Sequence, residues 1–240
     1  MIPFVFVVYQ AADPYGVLAS AVPPVEWKAV EAFVESDGPL PTFLPSGSTM
    51  LSAQRAVAAR WRVVLEGLEK ASAQPYVPGL VDSTQIVTLA KLASYASRAR
   101  FADGDRHGAL TLLLAGLTMA QRTRSADGEG TILRSFAENL NGIPLAECNR
   151  VRTAFDGHAS PGTGLRLLRA HMRVEAYRWQ WLKLPTSLKD AMPAAESLDV
   201  DGRSFRFEQT AGGYTLETQP DKDGLARSLA GPIRRDSERS

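Results

Sequence analysis

The chain has 240 residues, of which 45% are hydrophobic and 22% are charged, and its formal net charge is +1. This composition is typical of a folded protein with one large domain or one domain plus a small appendage, and excludes a disordered chain. A net charge near zero supplies no overall field to recruit nucleic acid or an anionic membrane. The lone Cys148 excludes an intramolecular disulfide and a multi-thiolate zinc site.

Residues 1–23 predict an extended N-terminal arm or strand. The opening MIPFVFVVY is apolar but short, no Lys or Arg precedes it, and Asp13 and Pro14 interrupt the path to Ala19-Ser20-Ala21. These features weigh against a signal peptide, and no run reaches the roughly 20 apolar residues that span a bilayer. We expect a chain that is soluble as given, in the cytoplasm or the cell envelope. Membrane association is expected only if an N-terminal anchor is missing from this sequence.

Residues 24–182 predict a helical domain, because apolar side chains recur at helical spacing between Pro- and Gly-rich breaks. The longest predicted helix runs from about Thr49 to Ser72. Residues 92–120, LASYASRARFADGDRHGALTLLLAGLTMA, predict a helical hairpin around the turn at Gly104. Small side chains on its first helix let a partner helix approach closely. Three more helices are expected at about 129–140, from 144, and at about 165–182.

The pattern changes at residue 183. Residues 183–219 predict a short helical turn followed by a β-hairpin, because Ser204–Gln209 and Tyr214–Thr218 alternate apolar and polar residues across a glycine turn. Residues 198–200 are a candidate third strand. Residues 220–240 are charged and aperiodic and predict a disordered tail. The predicted fold class is therefore mainly α, an antiparallel helical bundle or repeat-like hairpins with a small C-terminal β-hairpin appendage.

The central hairpin resembles the second half of a tetratricopeptide repeat. The residues that carry the resemblance are Gly104-Asp105, Ala109, Leu113 and Gly116-Leu117. The match covers one hairpin of about 34 residues, the usual period of this repeat. It departs from the pattern at Gly116, where the repeat prefers Ala. The resemblance implies a helical hairpin of the kind that builds protein-binding scaffolds.

The C-terminal third carries a second resemblance. Glu175-Ala-Tyr-Arg-Trp179, then Lys183-Leu-Pro-Thr-Ser-Leu188, then the hairpin are similar to an element of certain uncharacterised bacterial envelope proteins. In that group a tetratricopeptide-like helical bundle precedes a pseudopilin-like helix, a Leu-Pro-x-Ser-Leu turn and a short hairpin. The resemblance implies an α-rich body with a small β-appendage and, for that group, an N-terminal membrane anchor. It implies no activity.

His171 and Glu175 are the one pair of side chains with a spacing suited to chemistry. They lie four residues apart on one predicted helix and so share a face. Such a pair could act as acid and base, or bind a metal if a third ligand joined it. The alternative is an intrahelical pair beside Arg169 and Arg178, and we favour it. We assign no catalytic residue, no metal and no cofactor.

The sequence favours a non-enzymatic helical scaffold that binds a protein or peptide partner and no nucleic acid. The residues expected to contact the partner flank the buried stripes of the hairpin and the helix after it: Tyr95, Arg98, Leu114 and Arg122. The edge of the C-terminal hairpin is a further surface that could accept a strand. Two alternatives stay open, an enzyme with a divergent site around His171 and Glu175, and a structural component of the cell envelope. The sequence leaves the oligomeric state open.

Overall fold

A computed structural model describes residues 28–33, 49–76, 83–140, 143–156, 162–220 and 226–231. These residues are mainly helical, with a small antiparallel sheet of three strands toward the C-terminus, which confirms the predicted fold class. The predicted arm at residues 1–23 lies outside the described residues. Among the described residues, no helix combines the length and the apolar character that crossing a bilayer requires.

The chain divides into two compact units, Met1–Ile132 and Leu133–Ser240. The division thus falls well before residue 183, where the composition of the sequence changes. In the first unit, residues 28–33 are helical, and the labelled helices are α1 (Met50–Arg60), α2 (Arg62–Ser72), α3 (Ser83–Ala102) and α4 (Arg106–Arg122). The boundary between the two units falls within helix α5 (Ala126–Asn139). The second unit contains the helices α6 (Leu145–Asp156), α7 (Thr163–Trp181) and α8 (Leu188–Ala191).

The single long helix predicted at about Thr49 to Ser72 is wrong in one respect, because the structure breaks it at Trp61. This residue has φ −104° and ψ 26°, outside the helical region. The hydrogen bonds from Trp61 N–H to the Val57 carbonyl and from Leu65 N–H to the Trp61 carbonyl persist, at 3.1 and 3.0 Å. The break is therefore a local kink, and the indole of Trp61 is buried beside it.

Helices α3 and α4 pack against each other as the predicted hairpin. Gly104 forms its turn with φ +83°, a left-handed conformation that glycine adopts without steric cost. Asp105 caps α4, because its carboxylate accepts a hydrogen bond from the Gly108 N–H at 2.9 Å. The predicted stripe of small and aliphatic residues on α3 is fully buried, and consists of Ile86, Leu89, Ala93, Ala96 and Ala99.

Gly116 lies where three helices of the first unit come close together. A Cβ atom on Gly116 would lie 2.7 Å from Cδ1 of Ile132 and 3.5 Å from Cβ of Ala93. The side chain of Ile132, on α5, therefore occupies the space that an alanine at 116 would need. The glycine permits α3, α4 and the start of α5 to pack closely within the first unit.

We expect Gly116→Ala and Gly130→Ala to differ in their effect on the stability of the first unit. Both glycines are helical, and alanine gains roughly 1 kcal/mol over glycine in a helix interior. A Cβ atom on Gly130 would meet no atom within 4 Å, so Gly130→Ala should stabilise. Gly116→Ala should not stabilise the unit, because the new methyl group overpacks against Ile132. Overpacking of this kind costs about 1–3 kcal/mol of stability and offsets the helix-propensity gain. Native-state hydrogen exchange of the α4 amides measures both, and equal stabilisation by the two variants would contradict the close packing.

In the second unit, α6 packs along α7, and the end of α5 supplies apolar side chains to the same core. The rings of Phe136 and Phe155 meet edge to face, with centroids 5.2 Å apart and an interplanar angle of 82°. Cys148 is fully buried on α6. Helix α8 and a 3₁₀ turn at Ala194–Ser197 also contact α7.

The sheet has the strands β1 (Arg206–Thr210), β2 (Gly213–Glu217) and β3 (Ser228–Gly231), in the order β1-β2-β3 and antiparallel throughout. The third strand is not the candidate at residues 198–200, where the structure has only an isolated bridge between Leu198 and Ser204. It comes instead from residues 228–231, which the sequence places in a disordered tail. Leu229 explains the difference, because it lies opposite Leu216 and is buried with it.

The sheet has one apolar face and one polar face. Helix α7 contacts β2 and β3, and the register places the side chains of one face together: Phe207, Gln209, Tyr214, Leu216, Leu229 and Gly231. The other face is polar, with side chains that are exposed or half-buried, among them Arg206, Glu208 and Thr215. This alternation is the pattern of an antiparallel sheet with one face covered.

Candidate functional site

A cluster of ionisable side chains lies where α7 meets the sheet. His171 and Glu175 are one turn apart on α7, as the sequence predicts, and Tyr214 of β2 lies over both. All three side chains are buried, with exposed fractions of 1% for His171, 0% for Glu175 and 1% for Tyr214. We call His171, Glu175, Arg178 and Tyr214 the α7–β2 cluster.

Hydrogen bonds join the members of the α7–β2 cluster. The Tyr214 hydroxyl donates to Oε1 of Glu175 at 2.8 Å and lies 2.9 Å from Nδ1 of His171. The second carboxylate oxygen of Glu175 accepts from Nε and Nη2 of Arg178, at 3.2 and 3.0 Å. An ion pair within α7 thus joins Glu175 to Arg178, whereas His171 reaches Glu175 through the hydroxyl of Tyr214 and not directly.

The single proton of the Tyr214 hydroxyl determines which tautomer of His171 fits the cluster. A phenol has one proton, and Tyr214 gives it to Glu175, so the contact between Tyr214 and Nδ1 needs a proton on Nδ1. The neutral ring then carries a bare lone pair on Nε2. This atom is buried and has no hydrogen-bond partner among the described residues. A proton added to the ring must therefore go to an atom that no acceptor of the described residues faces.

Burial and the charge of Glu175 set the ionisation of the cluster. Burial lowers the pKa of His171, although the nearby Glu175 carboxylate opposes this shift. Burial, followed by the Glu175 charge and its hydrogen bond, raises the pKa of Tyr214 well above its ordinary value. Burial and the Glu175 charge also raise the pKa of Cys148 to about 12. At neutral pH the cluster holds a neutral imidazole, a neutral phenol and one ion pair, with an unreactive thiol near it.

Gly231 makes room for the ring of Tyr214. The two residues are opposite each other in the β2–β3 register. A Cβ atom on Gly231 would lie 2.6 Å from Cζ of Tyr214 and 2.7 Å from its hydroxyl oxygen. The tyrosine ring therefore lies directly across the backbone of β3, and glycine is the one residue that accepts it there without a shift.

The α7–β2 cluster is closed to solvent in the described part of the chain. Exposed fractions of 0–1% leave the three side chains no surface on which a reactant could meet them in the described part of the chain. The described residues also contain no group of three or more His, Cys, Asp or Glu side chains arranged to hold a metal ion. The cluster is suited to joining a helix to a sheet, which is a structural task.

The four residues expected to contact a partner all lie in the first unit, two on α3 and two on α4. Tyr95 is buried, with 4% of its surface exposed, whereas Arg98 and Leu114 are half-buried. Arg122 is half-buried and donates to the Gln74 carbonyl at 2.7 Å. Among these four, Leu114 and the arginines have side-chain surface that a partner could reach, and the set stays a prediction.

Arg169 and Arg173, on α7, lie close to carboxylates. Arg173 forms a bidentate pair with Glu196 at 2.6 and 2.9 Å and lies 3.7 Å from Asp156. Arg169 lies 3.8 Å from Asp156. These pairs make a salt-bridged face on α7.

The outer edge of β1 has main-chain groups that face away from the sheet. The loop between β1 and β2 has two residues, so Thr210 and Gly213 form a hydrogen-bonded pair and Glu208 and Arg206 also bond toward β2. Phe207 and Gln209 then point their N–H and C=O groups outward. Two bonds confirm this alternation: Phe205 N–H donates outward to the Ser197 carbonyl, and Thr218 N–H donates toward β3. No described residue bonds the outward groups of Phe207 and Gln209.

Two apolar side chains are exposed where α7 ends. Trp181 is 57% exposed and Leu182 is 85% exposed. Leu182 has φ +53°, a left-handed conformation that is uncommon for a bulky residue, and it terminates the helix. The ring of Tyr177 lies 6.2 Å from that of Trp181.

Sequence reasoning found the helical half of the α7–β2 cluster and missed Tyr214. The spacing of His171 and Glu175 on an otherwise apolar helix face indicates two polar groups that need partners. Tyr214 carries a matching signal, since it alternates with Leu216 on the apolar face of a strand and a buried tyrosine hydroxyl needs an acceptor. Nothing in the sequence indicates that these residues meet, because His171 and Tyr214 are 43 positions apart.

No protein-family model, no curated protein and no solved structure matches this chain.

Proposed function

We propose that this protein is a non-enzymatic helical scaffold that binds an extended segment of a partner protein along the outer edge of β1. The observation that carries the proposal is the pair of outward-facing residues Phe207 and Gln209, which together offer two donors and two acceptors. An extended peptide can add to such an edge through main-chain hydrogen bonds, while its alternate side chains supply specificity.

The side chains around this edge suit a partner strand of a particular chemistry. Phe207 lies on the face that α7 covers and is half-buried, so an apolar side chain beside it would extend the covered face. Arg206 and Glu208 are exposed on the opposite face. An antiparallel partner strand would therefore place a carboxylate beside Arg206 and a cation beside Glu208, with an apolar residue between them.

The length of the free edge limits the segment that binds. The bridge between Leu198 and Ser204 and the hydrogen bond from Phe205 to Ser197 occupy the edge just before β1. The two-residue loop after Thr210 ends it on the other side. A partner strand thus spans about five residues and forms up to four main-chain hydrogen bonds, each contributing about 0.5–1.5 kcal/mol net. The residues on α3 and α4 remain a proposed second contact surface for the same class of partner.

Gln209→Pro tests the edge with little change to the sheet. The Gln209 N–H faces outward, so proline there removes no bond to β2, whereas its ring blocks an added strand. The matched control is Gln209→Ala, which keeps the N–H and removes the side-chain bond to the Pro185 carbonyl at 2.8 Å. We expect a partner bound directly by the wild-type chain to lose at least about tenfold in affinity with Gln209→Pro, which is about 1.4 kcal/mol. Gln209→Ala should bind as wild type does.

The partner is found by affinity capture from a lysate of the organism that encodes the chain, then purified and measured by titration calorimetry. A partner that binds wild type and Gln209→Pro equally well would contradict the edge as the binding surface. A chain that turns over a substrate after purification, with activity lost on His171→Ala, would favour the enzymatic alternative instead.

A further inference from the structure

Independently of the edge of β1, the α7–β2 cluster has the arrangement of a pH-sensitive latch. We propose that protonation of His171 at Nε2 releases the β-sheet from α7, so that mild acid loosens the second unit. The proposal rests on three features of the geometry, namely the position of Tyr214, the bare Nε2 atom and the charges that surround the imidazole.

Tyr214 forms a polar link between the sheet and the helix. Its hydroxyl contacts two residues of α7 at once, at 2.8 Å from Glu175 and 2.9 Å from His171. It belongs to the central strand of the sheet, with β1 on one side and β3 on the other. A change that breaks these two contacts therefore acts on the docking of the whole sheet.

Because Nε2 has no hydrogen-bond partner among the described residues, a second proton on the imidazole is unfavourable in the folded cluster. In the neutral state Nδ1–H donates to the Tyr214 oxygen, and Nε2 has no partner among the described residues. Protonation creates an N–H donor and a positive charge in a buried place where the described part of the chain offers no acceptor. A buried donor without a partner and a buried charge both oppose the folded arrangement, and the ring can satisfy them only by moving toward water.

The charged and titratable groups around the ring come from three elements. On α7 itself, Glu175 attracts the imidazolium, whereas Arg178 repels it and already occupies one oxygen of that carboxylate. Tyr214 on β2 and Cys148 on α6 are both neutral at neutral pH. On the other elements that contact α7, Glu196 of the 3₁₀ turn is paired with Arg173, Lys189 and Asp190 of α8 are exposed, and β3 has no titratable residue from Ser228 to Gly231.

The sign of the pH effect follows from the depressed pKa of His171 in the folded state. The unfolded or opened state takes up a proton near pH 6.5, whereas the folded state does so only at lower pH. The stability that neutral His171 gives is therefore fully present above pH 6.5. It is lost as the pH falls from 6.5 toward the folded pKa, and over this window the opening constant should rise up to about tenfold per pH unit.

The test is the opening constant of the β2 amides in the full chain, measured by hydrogen exchange between pH 7.5 and 5.5 and corrected for the intrinsic exchange rates. We expect a rise of several-fold to about tenfold per pH unit below 6.5 in wild type. His171→Asn should remove the pH dependence, because its amide can donate to Tyr214 from the position of Nδ1 but does not titrate. His107→Asn, at an exposed histidine of the first unit, is the matched control and should behave as wild type.

Two outcomes would overturn the latch: an opening constant in wild type that does not change with pH, or an equal slope in His171→Asn. If His171→Asn does not fold, NMR of wild-type His171 tests the proposal instead, by measuring which ring nitrogen carries a proton at each pH. The latch requires a neutral ring with the proton on Nδ1 at pH 7, and sheet release that follows protonation of Nε2. A ring with its proton on Nε2 at pH 7 would contradict the proposal.

Discussion

Replacing Glu175 with alanine is expected to destabilise the second unit by about 3–5 kcal/mol. The change leaves Arg178, whose side chain is only 13% exposed, without its partner and removes the acceptor of the Tyr214 hydroxyl. Breaking a buried pair is far more costly than the pair's own net contribution, because an uncompensated charge stays behind. The free energy of opening of the α7 amides, from native-state hydrogen exchange, measures the loss.

One further variant separates the charge of Glu175 from its hydrogen bond, and another serves as a control at an exposed carboxylate. Glu175→Gln keeps an acceptor for Tyr214 and loses the negative charge, so its effect should lie between those of wild type and Glu175→Ala. Glu208→Ala removes an exposed carboxylate of β1, 3.5 Å from Arg206, and should change stability by no more than about 0.5 kcal/mol. A loss below about 1 kcal/mol in Glu175→Ala would show that the cluster does not hold the helix and sheet together.

Leu113→Ala is expected to destabilise the first unit by about 2–5 kcal/mol, as truncation of a fully buried leucine does. Leu113 is 0% exposed on α4, in the core of the α3–α4 hairpin. The adjacent Leu114 is half-buried, so less apolar surface returns to water in Leu114→Ala, and its loss should stay below about 1.5 kcal/mol. Exchange of the α3 and α4 amides compares the two variants directly.

The same pair of leucines tests the proposed second contact surface. If Leu114 contacts a partner, Leu114→Ala should weaken partner binding by more than its small effect on stability explains. Leu113→Ala should affect binding only to the extent that it unfolds the unit. Equal losses of stability in the two variants would contradict the described orientation of α4.

The local pattern of the sequence was enough to predict the α3–α4 hairpin, the helices that follow it and the β1–β2 hairpin. Apolar residues at helical spacing locate the α3–α4 hairpin, and Gly104 and Asp105 mark its turn through backbone chemistry that acts within a few residues. Residue alternation likewise locates β1 and β2. These features are predictable because the interactions that specify them are close in sequence.

The features that escaped prediction depend on contacts between distant residues. β3 is four residues long within a charged segment, and Leu229 becomes meaningful only when it lies opposite Leu216. The role of Gly231 depends in the same way on the ring of Tyr214. For the α7–β2 cluster, the helix pattern identifies His171 and Glu175, but the residue that completes it comes from another element. The kink at Trp61 has no sequence signal that we recognise.

The exchange of alternate amides along β1 in the free protein tests the proposed binding surface most directly. If the outer edge of β1 is open, the outward-facing amides of Phe207 and Gln209 should exchange at least about tenfold faster than the inward-facing amide of Glu208, which is bonded to β2. Slow and equal exchange at all three residues would mean that the edge is already covered in the free chain. That result would contradict the proposal that β1 accepts a strand from a partner.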